Sequence, residues 1–129
     1  MASSTYPIVS LVTADARLGR DFLRWMQPYA VVGRVFPSGQ ALLQDPDGAN
    51  TQLLVLAPAA PDLSLRDLLG QLRRHGEADV ICLDEQGDVA GAVSALRTGA
   101  LDIVDTSQAE IALVRHVQRI LGNGLPRSA

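Results

Sequence analysis

Short apolar runs alternate with stretches of helical periodicity along this chain, five times over. Ile8–Thr13 (IVSLVT) reads as a buried strand. Asp15 follows as an N-cap, and Leu18, Phe22, Leu23 and Met26 recur at helical spacing until Pro28 stops the run. Ala30–Phe36 (AVVGRVF) is a second strand, and Pro37-Ser38-Gly39 turns the chain into a short helix over Gln40–Gln44. Asp45-Pro46-Asp47-Gly48 is a strong turn signal. Gln52–Leu56 (QLLVL), apolar at nearly every position, has the character of a central parallel strand covered on both faces.

The second half repeats the scheme. Pro58-Ala59-Ala60-Pro61 forms an apolar loop, and Leu65, Leu68, Leu69 and Leu72 mark a helix closed near His75-Gly76. Asp79–Leu83 is a fourth strand, Asp88–Thr98 a helix and Leu101–Val104 a fifth strand. A last helix covers about Gln108–Leu121, with Ile111, Ala112, Val114, Val117, Ile120 and Leu121 along one stripe. Gly122-Asn123-Gly124-Leu125-Pro126 ends it. Five strand-then-helix units predict an α/β flavodoxin-like fold, a doubly wound five-stranded parallel sheet of order 2-1-3-4-5 with five helices. Its functional crevice would lie at the carboxyl ends of strands 1 and 3. Residues 1–122 make one domain, and 123–129 a flexible tail or the start of a linker.

Composition narrows the chemistry. Hydrophobic residues are 47% of the 129 and aromatics only 4%, so the core must be aliphatic. All eleven basic residues are arginine against fourteen acids, a net charge of −3 that leaves no footprint for nucleic acid on this domain alone. No apolar run approaches membrane-spanning length, and MASSTYP has neither the basic start nor the apolar segment of a secretory signal. Cytoplasmic residence without a membrane partner is the resulting expectation. The single cysteine, Cys82, lies in an apolar run and reads as a buried, inert thiol.

Few residues suggest catalysis. Neither GxxxxGK[ST] nor GxGxxG is present, and TADARLG does not match a flavodoxin phosphate loop; Gly19 and Gly33 stand isolated. His75 and His116 read as helix-end or surface residues. Ser38 and Ser107 read as turn or cap residues with no histidine to activate them, Trp25 and Met26 as packing. Arg73-Arg74 and Arg115/Arg119 read as solvated faces, the latter pair also suited to interface salt bridges. Asp15 and Asp84 could together hold a hard cation, but Asp15 as a cap and Asp84 as a solvated rim residue is the preferred assignment. No metal or cofactor is expected.

Gly91–Ser107 (GAVSALRTGALDIVDTS) carries a family signature. It resembles the fourth helix and fifth strand of bacterial response-regulator receiver domains, whose usual form is AVxALRxGAxDYLxKP. PSGQALL (Pro37–Leu43) and VICLD (Val80–Asp84) resemble further segments of that family, so the likeness spans essentially the whole chain. In an ordinary receiver, two acids after strand 1 hold Mg²⁺ and an aspartate ending strand 3 attacks the phosphoryl donor. A Thr or Ser ending strand 4 and a Lys ending strand 5 bind the phosphoryl oxygens. Carried across, the acid pair falls on Thr13 and Ala14, with Asp15 one step away. The acceptor falls on Ala57, the hydroxyl on Asp84, the lysine on Thr106, and the switch aromatic on Ile103.

The resemblance therefore implies a degenerate receiver (a pseudo-receiver), non-enzymatic, that acts in two-component signal transduction without phosphorylation. It would work through protein–protein contact on a partner or an attached output domain. By family analogy the contact face is the fourth helix, fifth strand and fifth helix, with Leu96, Arg97, Leu101, Ile103, Asp105, Ala112, Arg115 and Arg119. A two-fold homodimer is one arrangement of that face. Two other readings stand beside it. One is a small-ligand or metal sensor using Thr13, Asp15, Asp84 and Thr106. The other is a receiver phosphorylated at a non-standard aspartate, Asp62 or Asp84.

Overall fold

The computed structural model describes residues 6–57, 71, 79–84 and 102–122. Five parallel strands form one sheet in the order β2-β1-β3-β4-β5: β1 Ile8–Val12, β2 Val32–Phe36, β3 Leu53–Leu56, β4 Asp79–Asp84 and β5 Asp102–Asp105. This is the doubly wound order predicted from the alternating pattern. The helices expected over Leu65–Leu72 and Asp88–Thr98, the Pro58–Pro61 loop and the 123–129 tail lie outside the described residues.

The difference between central and edge strands is written in their composition. β1 and β3 are buried on both faces, so Val9, Leu11, Val12, Leu53, Leu54 and Val55 are all closed to solvent. The edge strands β2 and β5 carry Arg34, Asp102 and Asp105 instead. One polar residue does enter the centre. Ser10 in β1 is fully buried, and its hydroxyl lies 2.6 Å from that of buried Thr51. A hydroxyl pair satisfies both groups where neither could reach water.

Each face of the sheet has its own core. On one face, Leu11, Val55, Ile81 and Val104 meet α1 (Ala16–Met26) through Phe22 and Met26, and α4 (Ala109–Ile120) through Leu113 and Val117. On the other, Val12, Phe36, Leu54 and Val80 pack with Leu42 of α2 (Gly39–Gln44). Phe22 is closed to solvent at the centre of the first face. Its truncation to alanine would cost about 3–5 kcal/mol.

Helix ends follow the residues that flank them. The Asp15 carboxylate accepts from the backbone N–H of Arg17 and Leu18 and starts α1, as its position before the periodic run suggested. The Ser38 hydroxyl accepts from Ala41 N–H and starts α2. Asp45–Gly48, expected as a turn, winds instead into a one-turn helix, α3 (Pro46–Ala49). Proline at the first helical position loses no hydrogen bond and has φ already set, which favours that outcome. Gly48 is required there, because a Cβ at this position would collide with the Leu42 carbonyl. A 3₁₀ turn, Thr106–Gln108, leads into α4, and Gly122 beyond it has φ +92°, the left-handed conformation that closes a helix.

His116 departs from expectation. It lies mid-helix on the buried side of α4, 8% exposed, rather than at a helix end or on the surface. Its place three residues after Leu113 puts it on the apolar stripe, and its Nε2 stands 3.8 Å from Asp102 Oδ2 at the start of β5.

Candidate functional site

Parallel register brings the carboxyl ends of β1, β3 and β5 to one side of the sheet. The ladder continues one residue past two of them. Thr13 N–H donates to the Phe36 carbonyl at 2.9 Å, and Ala57 N–H donates to the Val12 carbonyl at 3.0 Å. Thr13 and Ala57 are thereby held side by side at the floor of a crevice of about 200 Å³. Thr106, first residue after β5, closes it from the far side, and the first turns of α1 form its outer wall.

Four of the positions singled out in the sequence therefore meet: Thr13, Asp15, Ala57 and Thr106. Ala14 does not join them, because its side chain is exposed and lines nothing in the crevice. Successive residues in the extended loop after β1 point opposite ways, and Thr13 takes the inward place. Asp84 ends β4 beside Asp105 in register, but its side chain lies outside the described residues, as do Asp62, His75, Arg73-Arg74, Leu96, Arg97 and Leu101. Three crevice residues were not anticipated. Arg17, Leu18 and Asp21 project from α1, and their spacing from the Asp15 cap puts them on the crevice side of the helix.

The chemistry of the walls is mixed. Ala57 is 7% exposed and offers a methyl group at the end of β3. Asp15 is engaged with the α1 amides, and Asp21 accepts from Arg24 at 2.9 Å, so two of the crevice carboxylates are already employed locally. Arg17 brings one guanidinium. Thr13 Oγ1 accepts from Asp15 N–H at 3.0 Å. Thr106 Oγ1, by contrast, is buried and has no hydrogen-bond partner among the described residues. No group of three or more His, Cys, Asp or Glu side chains is placed to hold a metal ion among the described residues.

Just outside the crevice, Asp105 accepts from both the N–H and the hydroxyl of Ser107, at 2.9 and 2.7 Å. Those two donors hold its carboxyl below the usual carboxylate range. Ser107 is thus a turn residue, as its sequence context suggested. Ile103 is half-buried in β5. On α4, Arg115 and Arg119 are exposed, while Ala112 packs against the core. Cys82 is half-buried against the second core, and burial pushes its thiol up to about 11. It is protonated and inert at neutral pH.

No family model and no curated protein matches the sequence. Solved structures do. The beryllofluoride-activated receiver domain of DrrB, a Thermotoga maritima OmpR/PhoB homologue, superposes with a TM-score of 0.76 at 21% identity, covering 91% of this chain and 98% of that one. A response regulator receiver protein from Pseudoalteromonas atlantica gives 0.74 at 24% identity, covering 89% and 97%. This chain has the receiver-domain fold. Full-length FixJ from B. japonicum matches with a TM-score of 0.75 at 19% identity over 97% of this chain but 62% of its own length. The remainder of FixJ thus lies outside the shared fold. No described helix is long and apolar enough to cross a membrane.

Proposed function

We propose that the chain is a receiver-like signalling module that works without phosphorylation and without enzymatic activity, by contact with a partner or an attached output domain. The observation that carries this reading is Ala57. It occupies the crevice at the carboxyl end of β3, where the family's phosphoacceptor would stand, and a methyl group provides no nucleophile. Thr106 at the end of β5 provides no cation in place of the family's lysine, and the chain contains no lysine to substitute for it. The face used for contact is that of the helix expected over Asp88–Thr98, β5 and α4; on its described part Asp105, Arg115 and Arg119 are exposed and Ile111 is 59% exposed. A second copy docked two-fold on that face is the simplest assembly.

The test is a titration of isotopically labelled protein with Mg²⁺ and beryllofluoride, followed by NMR. Amides of Thr13, Ala57 and Thr106 should not shift. Saturable, stoichiometric shifts at those three positions would overturn the reading.

A second reading, a small-ligand sensor, is favoured by Thr106, which lines the same crevice as Thr13 and whose buried hydroxyl has no described partner. A thermal-shift series with nucleotides and divalent metals distinguishes it. One ligand that raises Tm reproducibly, and fails to do so with Thr106→Val, supports the sensor; no shift with any removes it.

A further inference from the structure

Two carboxylates that line the crevice already have partners, while three donors in the same lining have none among the described residues. Asp15 Oδ1 accepts from two α1 amides, and Asp21 Oδ1 accepts from Arg24. Thr13 Oγ1 accepts from Asp15 N–H, but no described group takes the proton of that hydroxyl. Thr106 Oγ1 is buried and has no described partner in either role. The Arg17 guanidinium makes no described ion pair or hydrogen bond. Two hydroxyls and one guanidinium thus remain to be satisfied, and a charged acceptor satisfies such donors best.

Charge and size narrow the acceptor. Asp21 and Arg24 form a neutral pair at 2.9 Å, and the positive end of α1 offsets Asp15, so Arg17 is the charge left over. A metal cation is disfavoured, because no three His, Cys, Asp or Glu side chains converge among the described residues. The volume of about 200 Å³ lies below the ~300–1,000 Å³ of pockets for drug-sized ligands, so the bound group is smaller than a nucleotide. A doubly charged phosphate would set its second charge near Asp15 and Asp21. A carboxylate carries one charge, and its tail suits the apolar part of the lining, the Ala57 methyl and half-buried Leu18.

We infer that the crevice binds a small monocarboxylate noncovalently. The carboxylate accepts from the Thr13 and Thr106 hydroxyls and from the Arg17 guanidinium, and a short apolar tail lies on Ala57 and Leu18. The inference rests on the small-ligand reading above and names its class of ligand. It requires neither phosphorylation nor a metal, so it is compatible with signalling by contact.

The probe is propionate, titrated at constant pH and ionic strength into isotopically labelled protein and added to the thermal-shift series of nucleotides and divalent metals. It should raise Tm and saturably shift the amides of Thr13, Ala57 and Thr106 and the Arg17 Nε–H. Propionamide, similar in shape but uncharged, should bind at least tenfold more weakly, and an equal concentration of inorganic phosphate should not displace propionate. Thr106→Val should weaken propionate binding about tenfold or more, the worth of one hydrogen bond to a charged group, without lowering stability. Arg17→Gln should weaken it at least tenfold with the circular dichroism spectrum retained. Arg20→Gln removes the same charge from an exposed position of α1 outside the crevice lining and should leave binding unchanged. Equal binding by propionamide, displacement by phosphate, or unchanged affinity in Thr106→Val or Arg17→Gln would each overturn the inference. A Tm shift with a nucleotide or metal but none with propionate overturns it and leaves the small-ligand reading standing; no shift with any ligand removes both.

Discussion

Thr13 and Thr106 face one crevice, yet the same substitution should act on them with opposite sign. Thr13 is 6% exposed, and its hydroxyl accepts from Asp15 N–H at 3.0 Å, directly before the α1 cap. Replacing it with the isosteric valine removes that acceptor and leaves the amide with nothing in its place, a loss of about 1–2 kcal/mol. Thr106 Oγ1 is buried with no described partner, so it bears the desolvation cost of a hydroxyl with no return. Exchanging it for a methyl group should therefore stabilise the protein by about 1 kcal/mol, the lower end of the penalty for an unsatisfied buried hydroxyl. For a domain of this size that is an increase in Tm of about 4 °C. Urea unfolding of Thr13→Val, Thr106→Val and the unmodified protein, at equal m-values, measures both. If Thr106→Val were destabilising by about 1 kcal/mol, the Thr106 hydroxyl would have a partner in the folded protein, and the reading of it as unsatisfied would fail.

Further outcomes follow from local geometry. Ser107→Ala removes the hydroxyl that donates to Asp105, so the Asp105 carboxyl should rise toward its ordinary range, as NMR titration would record. Because the folded-state value is depressed, whatever Asp105 contributes is present above its unfolded pKa and lost as pH falls through the folded one; in Ser107→Ala that loss is smaller and is complete at higher pH. Gly48→Ala forces a Cβ against the Leu42 carbonyl and should cost about 1–3 kcal/mol by urea unfolding, with α2 and α3 exchanging amide protons first. Ser10→Ala breaks the buried hydroxyl pair with Thr51 and should cost about 1 kcal/mol; no loss would mean that the pair contributes nothing net.

The sheet was legible because burial on two faces leaves no freedom of composition. IVSLV and LLVL can only be covered strands, and an aspartate before a 3.6-residue repeat marks where α1 begins. What escaped the pattern were residues whose environment depends on a partner element. His116 shares the buried side of α4 with Leu113 and Val117, but a polar ring on an apolar stripe reads as a break until Asp102 of β5 is brought alongside. Arg17 and Asp21 draw no assignment from the sequence, because nothing local reveals that α1 lies along the crevice. The Asp-Pro-Asp-Gly segment reads as a turn, and its longer-range seat against α2 winds it into one turn of helix instead. Thr13, Asp15, Ala57 and Thr106 were placed by alignment to a family pattern, and the sheet register then put them together.

The most direct test of a receiver fold that signals without phosphate is intact-mass spectrometry after incubation with Mg²⁺ and acetyl phosphate. With Ala57 at the end of β3, the mass should remain that of the unmodified chain at every donor concentration. A stoichiometric, hydroxylamine-labile phosphoryl adduct on any aspartate, Asp62 and Asp84 included, would contradict it.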